Sequence, residues 1–314
     1  MRPFLHSIIA SCVIAGSVLA GGFSRLPIGA RTVTLGSSLV SFADDPNLVF
    51  YNPAGIAPMT SLSISTSYTR LFPGIQDDDL QYFSGSAVLS LKSLGLDFLG
   101  NVGIGLNAFN SSAWKEEELV GSYGQEFAEF LTVGGSVKLL HWSVPPPSGR
   151  LAVPEPGLSK LTMSFDVGVQ SMVRDFIPDN DLRFGIAFSD INRPSIASDG
   201  SSDGKLDLKM AIGATYISRA YDYAATVHYT VAGPVKRFGV GTELVALKAS
   251  IAGQQTQFIV RVGGGGLLDP GRQGDVNGGF GLIVAGFALD YAYTHQTELL
   301  YIDGTHHLSL RYDF

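Results

Sequence analysis

The feature that most constrains this chain is a period-two alternation of apolar residues with small or polar ones, which runs from residue 61 to the end. Successive side chains of a β-strand point to opposite faces, so this period predicts strands throughout. The alternation is cleanest in the second half of the chain. In 206–217, one face reads Leu206, Leu208, Met210, Ile212, Ala214 and Tyr216, and the other reads Asp207, Lys209, Ala211, Gly213 and Thr215.

About fourteen such segments can be counted. They lie at roughly 61–70, 81–92, 101–110, 116–124, 129–142, 159–173, 181–190, 205–217, 221–231, 236–246, 256–264, 275–285, 286–294 and 305–314. Most are about as long as a tilted membrane strand, which has about 9 to 11 residues. An even number of strands is what a single-chain bacterial barrel has when both termini lie on the periplasmic side.

The lengths of the connections provide an independent test, because outer-membrane barrels have long outer loops and short periplasmic turns. Connections after odd-numbered strands should then be the long ones. Those at 143–158, 191–204, 265–274 and 295–304 fit this rule, as do the tight even-numbered ones at 218–220 and 285–286. The segments 93–100 and 248–255 are predicted to be longer inner turns, against the rule.

A soluble sandwich or barrel also alternates, but its apolar face points inward and its other face carries many charges. Here the second face is rich in Gly and Ala, and only 16% of all residues are charged. The charged residues on it include Lys138, Asp166, Arg183, Glu243, Arg261, Asp290 and Arg311. The sequence therefore predicts an all-β fold, a transmembrane antiparallel barrel over residues 61–314, with a lumen that packs against something.

The first residues have the form of an export signal. Arg2 precedes an apolar run from Ile8 to Ala20, and small residues favour cleavage after Ala20. The alternative is a lipoprotein signal ending at Cys12, but the apolar run continues well beyond that residue. Cys12 is the sole cysteine, so a chain cleaved after Ala20 has no disulfides. We expect residues 1–20 to be a signal peptide and the mature protein to lie in the bacterial outer membrane.

Several function classes are disfavoured. The formal net charge of −7 becomes −8 when Arg2 leaves with the signal, and an acidic exported chain is a poor partner for nucleic acid. No constellation of serine, histidine and acid stands out, so we expect no catalytic residues and no enzyme. The run Asp77–Asp79 lacks the spacing of a calcium loop, and no cofactor or metal is expected.

The segment 21–60 does not alternate and contains three short motifs. The letters GAR stand at Gly29, Ala30 and Arg31; ADDP stands at Ala43, Asp44, Asp45 and Pro46; NPAG stands at Asn52, Pro53, Ala54 and Gly55. Together they resemble the N-terminal signature of the FadL-like outer-membrane barrels. The resemblance is closer to their PorV/PorQ branch, where a Gly-Ala-Arg run precedes ADD and NPAG ends the segment.

The resemblance implies that residues 21–60 form a hatch, a plug folded into the lumen of the barrel. Asn52 before Pro53 favours a turn, and Asp44 and Asp45 can cap a short helix or pair with a basic lumen residue such as Arg183 or Arg261. Two interpretations stay open: these letters form a fixed plug by turn chemistry alone, or they belong to a gate that moves.

The last strand ends on an aromatic residue, in the alternating pattern Leu308, Leu310, Tyr312 and Phe314. This pattern resembles the C-terminal signal that the bacterial barrel-assembly machinery recognises. We therefore expect that machinery to be a partner of the unfolded chain, and outer-membrane lipid to be a partner of the folded barrel.

The family resemblance implies passive transport of a hydrophobic small molecule across the outer membrane. The alternative is a PorV-like secretion component of the type IX kind, which binds exported protein cargo at the outer face. A third possibility is a surface scaffold with a plugged barrel. A transport role predicts an apolar pocket between the hatch and the outer loops, whereas a secretion role predicts a broad outer cleft.

Overall fold

The structure is a computed structural model of the 314-residue chain. It describes residues 23, 26–73, 80–96, 98–144, 158–199, 204–251, 253–268, 274–298 and 303–314. The predicted signal peptide at 1–20 lies outside these residues, so its cleavage stays a prediction.

Fourteen antiparallel strands form one closed barrel, in which each strand pairs with its neighbours in sequence and β1 pairs with β14. The strands are β1 Ser63–Arg70, β2 Gln81–Ser90, β3 Asn101–Asn110, β4 Lys115–Ala128, β5 Leu131–Val144, β6 Leu158–Ile177, β7 Asn180–Ser189, β8 Lys209–Ser218, β9 Tyr223–Ala232, β10 Val235–Ile251, β11 Gln254–Leu267, β12 Gly274–Val284, β13 Phe287–Gln296 and β14 Thr305–Asp313. Closure leaves no sheet edge, which a barrel in hydrocarbon requires.

The faces of the strands confirm the predicted membrane barrel. In β1, the inward side chains of Ser63, Ser65 and Ser67 are buried, whereas Ile64 and Tyr68 point outward and are exposed. The same arrangement recurs around the barrel, where large apolar side chains are exposed on the outer wall. This is the reverse of a soluble barrel and suits a wall that faces lipid.

Every predicted strand is present, most of them with bounds within a few residues. The prediction of a longer inner turn at 248–255 is wrong, because β10 continues to Ile251 and β11 begins at Gln254. The cross-strand pairing holds to the last residue, Ile251 opposite Gln254, despite a register shift between Val245 and Leu247. The polar side chains of 248–255 concealed the strand pattern from a reading based on hydrophobic alternation.

The two ends of the barrel differ. At one end lie the chain's first and last strand ends, Ser63 and Asp313, together with the tight turns at 178–179 and 285–286. We call this the turn end and the opposite one the loop end. Outer-membrane barrels have short turns on the periplasmic side, so the loop end is the outer one. The connection after β2 contains a short 3-10 helix, Leu91–Leu94.

Residues 26–60 lie inside the barrel. They form a short α-helix, α1 at Ala30–Thr34, and two 3-10 helices, Pro46–Phe50 and Pro53–Ile56. All residues of these three helices are buried, and most of the main hydrophobic cluster comes from side chains of 26–60, in the helices and in the segments between them. In the part of the chain that the structure describes, no helix is long and apolar enough to cross a membrane.

Candidate functional site

A belt of inward-facing glycines lets backbone and side chains of the hatch segment pack directly against the barrel wall. A methyl group at Gly185 would lie 1.9 Å from the carbonyl oxygen of Val40, and one at Gly263 would lie 2.2 Å from that of Thr34. We call the whole set the glycine belt: Gly103, Gly105, Gly124, Gly134, Gly168, Gly185, Gly213, Gly239, Gly241 and Gly263. Real side-chain carbons do not approach so closely, so the belt fixes the depth at which the hatch sits.

Asp45 and Asn52 each cap the start of a separate 3-10 helix. The carboxylate of Asp45 accepts a hydrogen bond from the backbone nitrogen of Asn47 at 2.9 Å. The side-chain oxygen of Asn52 accepts one from the nitrogen of Ala54 at 3.1 Å. Pro46 and Pro53 each occupy the first position of the helix, where their missing N–H costs nothing. Both motifs therefore do what their turn chemistry predicts.

Asn52 also joins the hatch to the wall. Its amide nitrogen donates to the carbonyl oxygens of Val40 in the hatch, at 2.7 Å, and of Val169 on β6, at 3.3 Å. The side chain is completely buried above Gly168, where a methyl group would lie 1.9 Å from its oxygen. Asn52 is thus held on all sides, as a buried amide must be when its donors and acceptor are satisfied.

An amide of the wall holds the end of the hatch that leads into β1. The side-chain nitrogen of Asn101 on β3 lies 2.7 Å from the carbonyl oxygen of Ile56, 3.0 Å from that of Ala57 and 2.6 Å from that of Met59. Asn101 is completely buried at the turn end of its strand. We call these contacts the Asn101 clamp.

The GAR run begins α1 against β14. Gly29 has a φ of 90°, a left-handed conformation that favours glycine, and a methyl group there would lie 2.8 Å from the side chain of Asn47. The nitrogen of Ala30 donates to the hydroxyl of Ser309 on β14 at 2.7 Å. The first and second thirds of the hatch are therefore in contact with each other and with the wall.

Arg31 is the centre of an ion-pair network between the hatch and the wall. Its guanidinium makes two hydrogen bonds to Asp44 (3.0 and 3.1 Å) and two to Glu243 on β10 (2.6 and 3.0 Å). Arg261 continues the network from Glu243, at 2.9 Å, to Asp290, at 2.5 Å. The forked geometry of arginine suits such paired contacts. Together, Arg31, Asp44, Glu243, Arg261 and Asp290 are called the hatch ion network.

The two adjacent aspartates differ in their electrostatics. Asp44 lies inside the bore, where burial would raise its pKa although 62% of the side-chain surface stays accessible; pairing with Arg31 outweighs burial and holds the pKa well below its usual range. Burial raises the pKa of Asp45, although Arg311 and Arg31 oppose the shift. A lowered pKa means that Asp44 stabilises the fold above its unfolded pKa and loses this effect as pH falls through its folded value. The raised pKa of Asp45 has the opposite effect: it stabilises the fold below the unfolded pKa, and this effect is lost as pH rises through the folded value.

Asp44 and Asp45 were expected to cap a short helix or to pair with a basic lumen residue, for example Arg183 or Arg261. Asp45 does cap a helix, and the basic wall residue within ion-pair distance of it, at 3.9 Å, is Arg311. Asp44 pairs with Arg31 of the hatch itself, and its backbone carbonyl accepts a hydrogen bond from Arg311 at 3.1 Å. The remaining motif residues serve packing: Ala43, Ala54 and Gly55 are buried, and a methyl group at Gly55 would lie 2.7 Å from the carbonyl of Phe42.

The half of the lumen nearer the loop end, called the loop half, contains a cluster of aromatic side chains that the sequence analysis did not predict. We call it the ring cluster. Tyr82, Phe109, Glu116 and Trp142 are directly opposite one another on β2 to β5 and all face inward. The rings of Tyr82 and Phe109 are 4.7 Å apart, and Trp142 stacks on Trp114 at the same distance. The alternation in the sequence could have revealed it, because it places these large aromatic residues on the inward face, where most residues are small.

Between the hatch and the loop half lies a small cavity of about 30 Å³. It is lined by Ser37, Ser38, Phe50 and Tyr51 of the hatch and by Ser189, Lys209, Ala211 and Thr230 of the wall. This volume suits a water molecule or two, whereas a cavity that binds benzene is about 150 Å³. Within the described ranges, no group of three or more His, Cys, Asp or Glu could hold a metal ion.

The C-terminal residues form the outer surface of β14. Leu308 and Leu310 are exposed on the outer wall, and Tyr312 lies between Phe287 at 4.2 Å and Phe314 at 4.5 Å. The nitrogen of Phe314 donates to the carbonyl of Leu62 at 2.9 Å. Recognition of these four residues by the assembly machinery stays a prediction.

Asn52→Asp should loosen the hatch, whereas Asp45→Asn should leave it seated. Aspartate at 52 keeps the cap to Ala54 but places a carboxylate against two carbonyl oxygens, at a cost of about 1–3 kcal/mol or more. Asparagine at 45 keeps the capping oxygen and removes a charge whose pKa burial raises, and the two residues are equivalent N-caps. Hydrogen exchange of hatch peptides measures both; equal protection in the two variants would contradict the assigned role of Asn52.

No protein-family model matches the sequence, and no curated protein matches it. Solved structures do resemble the barrel. The CymD monoaromatic hydrocarbon channel has a TM-score of 0.58 at 12% identity, over 93% of this chain and 99% of that one. A FadL homologue of Pseudomonas aeruginosa gives 0.57 at 15%, and the toluene transporter TbuX of Ralstonia pickettii gives 0.55 at 12%, each over 93% of this chain and all of the other. At these identities the likeness concerns architecture, and the chain has the fold of the FadL-like outer-membrane barrels.

Proposed function

We propose that this protein is an outer-membrane channel for the passive uptake of a small hydrophobic molecule. The observation that carries the proposal is the ring cluster of the loop half, placed directly on the outer side of a hatch that packs against the glycine belt. A hydrophobic molecule that enters from the loop end can bind to the aromatic side chains. Ions and sugars gain nothing from these side chains, and the hatch blocks their way through the lumen. The names of the resembling structures, a hydrocarbon channel and a toluene transporter, support this direction.

The hydrogen bonding of the barrel wall determines whether a molecule can leave sideways between strands or must pass the hatch. β3 pairs with β2 and β4 along its whole length, Asn101–Asn110, without a bulge. Register shifts occur at Glu126/Ala128, Val173/Ile177 and Val245/Leu247, all toward the turn end of their strands. A wall that is hydrogen-bonded across its middle offers no sideways exit, so release requires rearrangement of the hatch.

Three finer points belong to the same proposal. The chain is divided into a signal at 1–20, a hatch at 21–60 and a barrel at 61–314. The GAR, ADDP and NPAG letters favour a relation to the PorV/PorQ branch. The secretion alternative requires protein cargo at the outer face, and no feature of the described residues favours it over a ring-lined uptake site.

The test is uptake of toluene by Gram-negative cells that express the protein, compared with cells that carry the empty vector. We expect faster entry of toluene and unchanged entry of a sugar of similar size, because the cavity described beside the hatch is water-sized. The test variant is the same barrel with Trp142→Ala, which removes one of the stacked rings. It should slow the entry of toluene and leave the entry of the sugar unchanged.

Two results would sink the uptake proposal. One is toluene entry equal to that of the empty vector while the folded barrel is present in the outer membrane. The other is native purification in which exported proteins, and no small apolar ligand, accompany the barrel; this would favour the secretion component instead.

A further inference from the structure

Resting on the proposed function, we infer that the site in the loop half takes an aromatic molecule that bears a hydrogen-bond donor, such as an amine or a hydroxyl group. The site consists of the rings of Tyr82, Phe109, Trp114 and Trp142 together with three acceptors, Glu116, Glu118 and Asn107. We call it the acidic aromatic site.

The site is built from two neighbouring rows of inward-facing residues on β2 to β5. The outer row is Tyr82, Phe109, Glu116 and Trp142, and the row beneath it is Ser84, Asn107, Glu118 and Leu140. The next row toward the turn end contains Gly105, whose face is covered by Phe50 of the hatch. The acidic aromatic site therefore lies immediately outside the hatch.

The rings are held in fixed orientations. The indole of Trp142 stacks on that of Trp114 with 14° between the planes, and its N–H donates to the carbonyl oxygen of Ile196 at 2.7 Å. The indole N–H of Trp114 donates to Glu116 at 2.8 Å. Offset or stacked rings with centroids at such distances present a flat apolar wall to a further ring.

The polar groups beneath the rings are acceptors. Glu118 is 2% exposed, and Asn107, directly opposite it, is 7% exposed. The side-chain oxygen of Asn107 is buried and has no hydrogen-bond partner among the described residues. Because a buried polar atom without a partner is costly, this oxygen marks a place where a donor from outside the chain would be stabilised.

Glu116 already accepts donors of the proposed kind. One of its carboxylate oxygens accepts the indole N–H of Trp114 and also the backbone N–H of Phe23, at 3.1 Å. Phe23 precedes the hatch helices, so a segment of the chain itself places an N–H beside the rings. An entering amine or hydroxyl group would make the same contact.

The charges of the surroundings select against acidic ligands. Two carboxylates, Glu116 and Glu118, face this part of the lumen. Lys160 faces it from β6, opposite Trp142. Lys138, two rows below, is neutralised by Asp166 at 2.7 Å and Asp190 at 2.6 Å. A carboxylate ligand would be repelled, while a cation gains from both the carboxylates and the ring faces.

The direct test uses intrinsic fluorescence, because the chain has only two tryptophans and both line the site. The purified barrel in detergent is titrated with toluene, benzyl alcohol, benzylamine and benzoate, which share one ring and differ in one group. We expect benzylamine and benzyl alcohol to bind about ten- to a hundredfold tighter than toluene, as hydrogen bonds to charged groups allow, and benzoate to bind weakest.

Two variants locate the preference. Glu118→Gln should reduce the advantage of benzylamine over benzyl alcohol, and Asn107→Leu should reduce the advantage of benzyl alcohol over toluene. The matched control is Glu117→Gln, the next residue on β4, whose exposed side chain points outward and pairs with His141 at 3.0 Å. Heat-modifiable mobility on gels shows whether each variant is folded.

The inference is overturned if toluene binds as tightly as benzylamine in the unaltered protein, or if Glu117→Gln changes the order as much as Glu118→Gln. Tight binding of toluene with toluene uptake intact would remove the donor preference and leave the proposed function standing. Absence of both binding and uptake for all four probes would remove the proposed function as well.

Discussion

Gly185→Val and Gly263→Val, each alone, are expected to convert a closed barrel into one that conducts ions in planar lipid bilayers. The added side chain would collide with the carbonyl oxygen of Val40 or of Thr34, at 1.9 and 2.2 Å from the first added carbon. The strand itself accepts valine readily, so the barrel should fold and the hatch should yield. Overpacking of this kind costs about 1–3 kcal/mol, a 5- to 150-fold change in the fraction of unseated hatch.

Gly121→Val is the matched control for both. Gly121 faces outward on β4, and a methyl group there meets nothing within 4 Å. This variant should have the conductance of the parent. A folded Gly185→Val barrel that stays electrically silent would show that the glycine belt does not seat the hatch.

Arg31→Met is expected to produce the second large effect, a hatch that is released toward the turn end and becomes accessible to protease there. The substitution leaves Asp44 and Glu243 without the cation they share. Breaking a buried pair by removing one partner costs about 3–5 kcal/mol. We expect the lower part of that range, because Asp44 is exposed and Glu243 keeps Arg261.

Companion variants separate charge from geometry at Arg31. Arg31→Lys keeps the charge but cannot make two forked contacts, so its effect should be intermediate. Arg31→Met combined with Glu243→Gln should be less harmful than the sum of the single changes, as expected for directly coupled residues. Lys236→Met, at an exposed cation at the loop end of β10, should have no effect on the hatch. Strict additivity of the Arg31 and Glu243 variants would contradict the hatch ion network.

The barrel was predictable because its signal is local. Alternation between outward apolar and inward small residues is written into each strand, so all fourteen strands and their closure followed from the sequence. The exception, 248–255, carries polar residues on both faces where the hairpin of β10 and β11 extends beyond the apolar part of the wall. A search for alternating hydrophobic residues therefore finds no pattern in 248–255.

The hatch was predictable only in part. Turn chemistry gave the caps at Asp45 and Asn52, since each cap involves residues two positions apart. The partner of Asp44 did not follow, because Arg31 reaches it through the path of a chain without periodicity. The acidic aromatic site was also missed, since its rings lie on separate strands and become neighbours only when the register of β2 to β5 is known.

The Asn101 clamp gives any motion of the hatch a direction. Three carbonyl oxygens at Ile56–Met59 are gathered on one side chain of β3, immediately before the chain enters β1. A hatch held there would turn about the Asn101 clamp, and α1, which packs against β11 to β14, lies on a part of the wall away from β3. We expect the opening to appear first along β11 to β14, with the residues beside β3 the last to move.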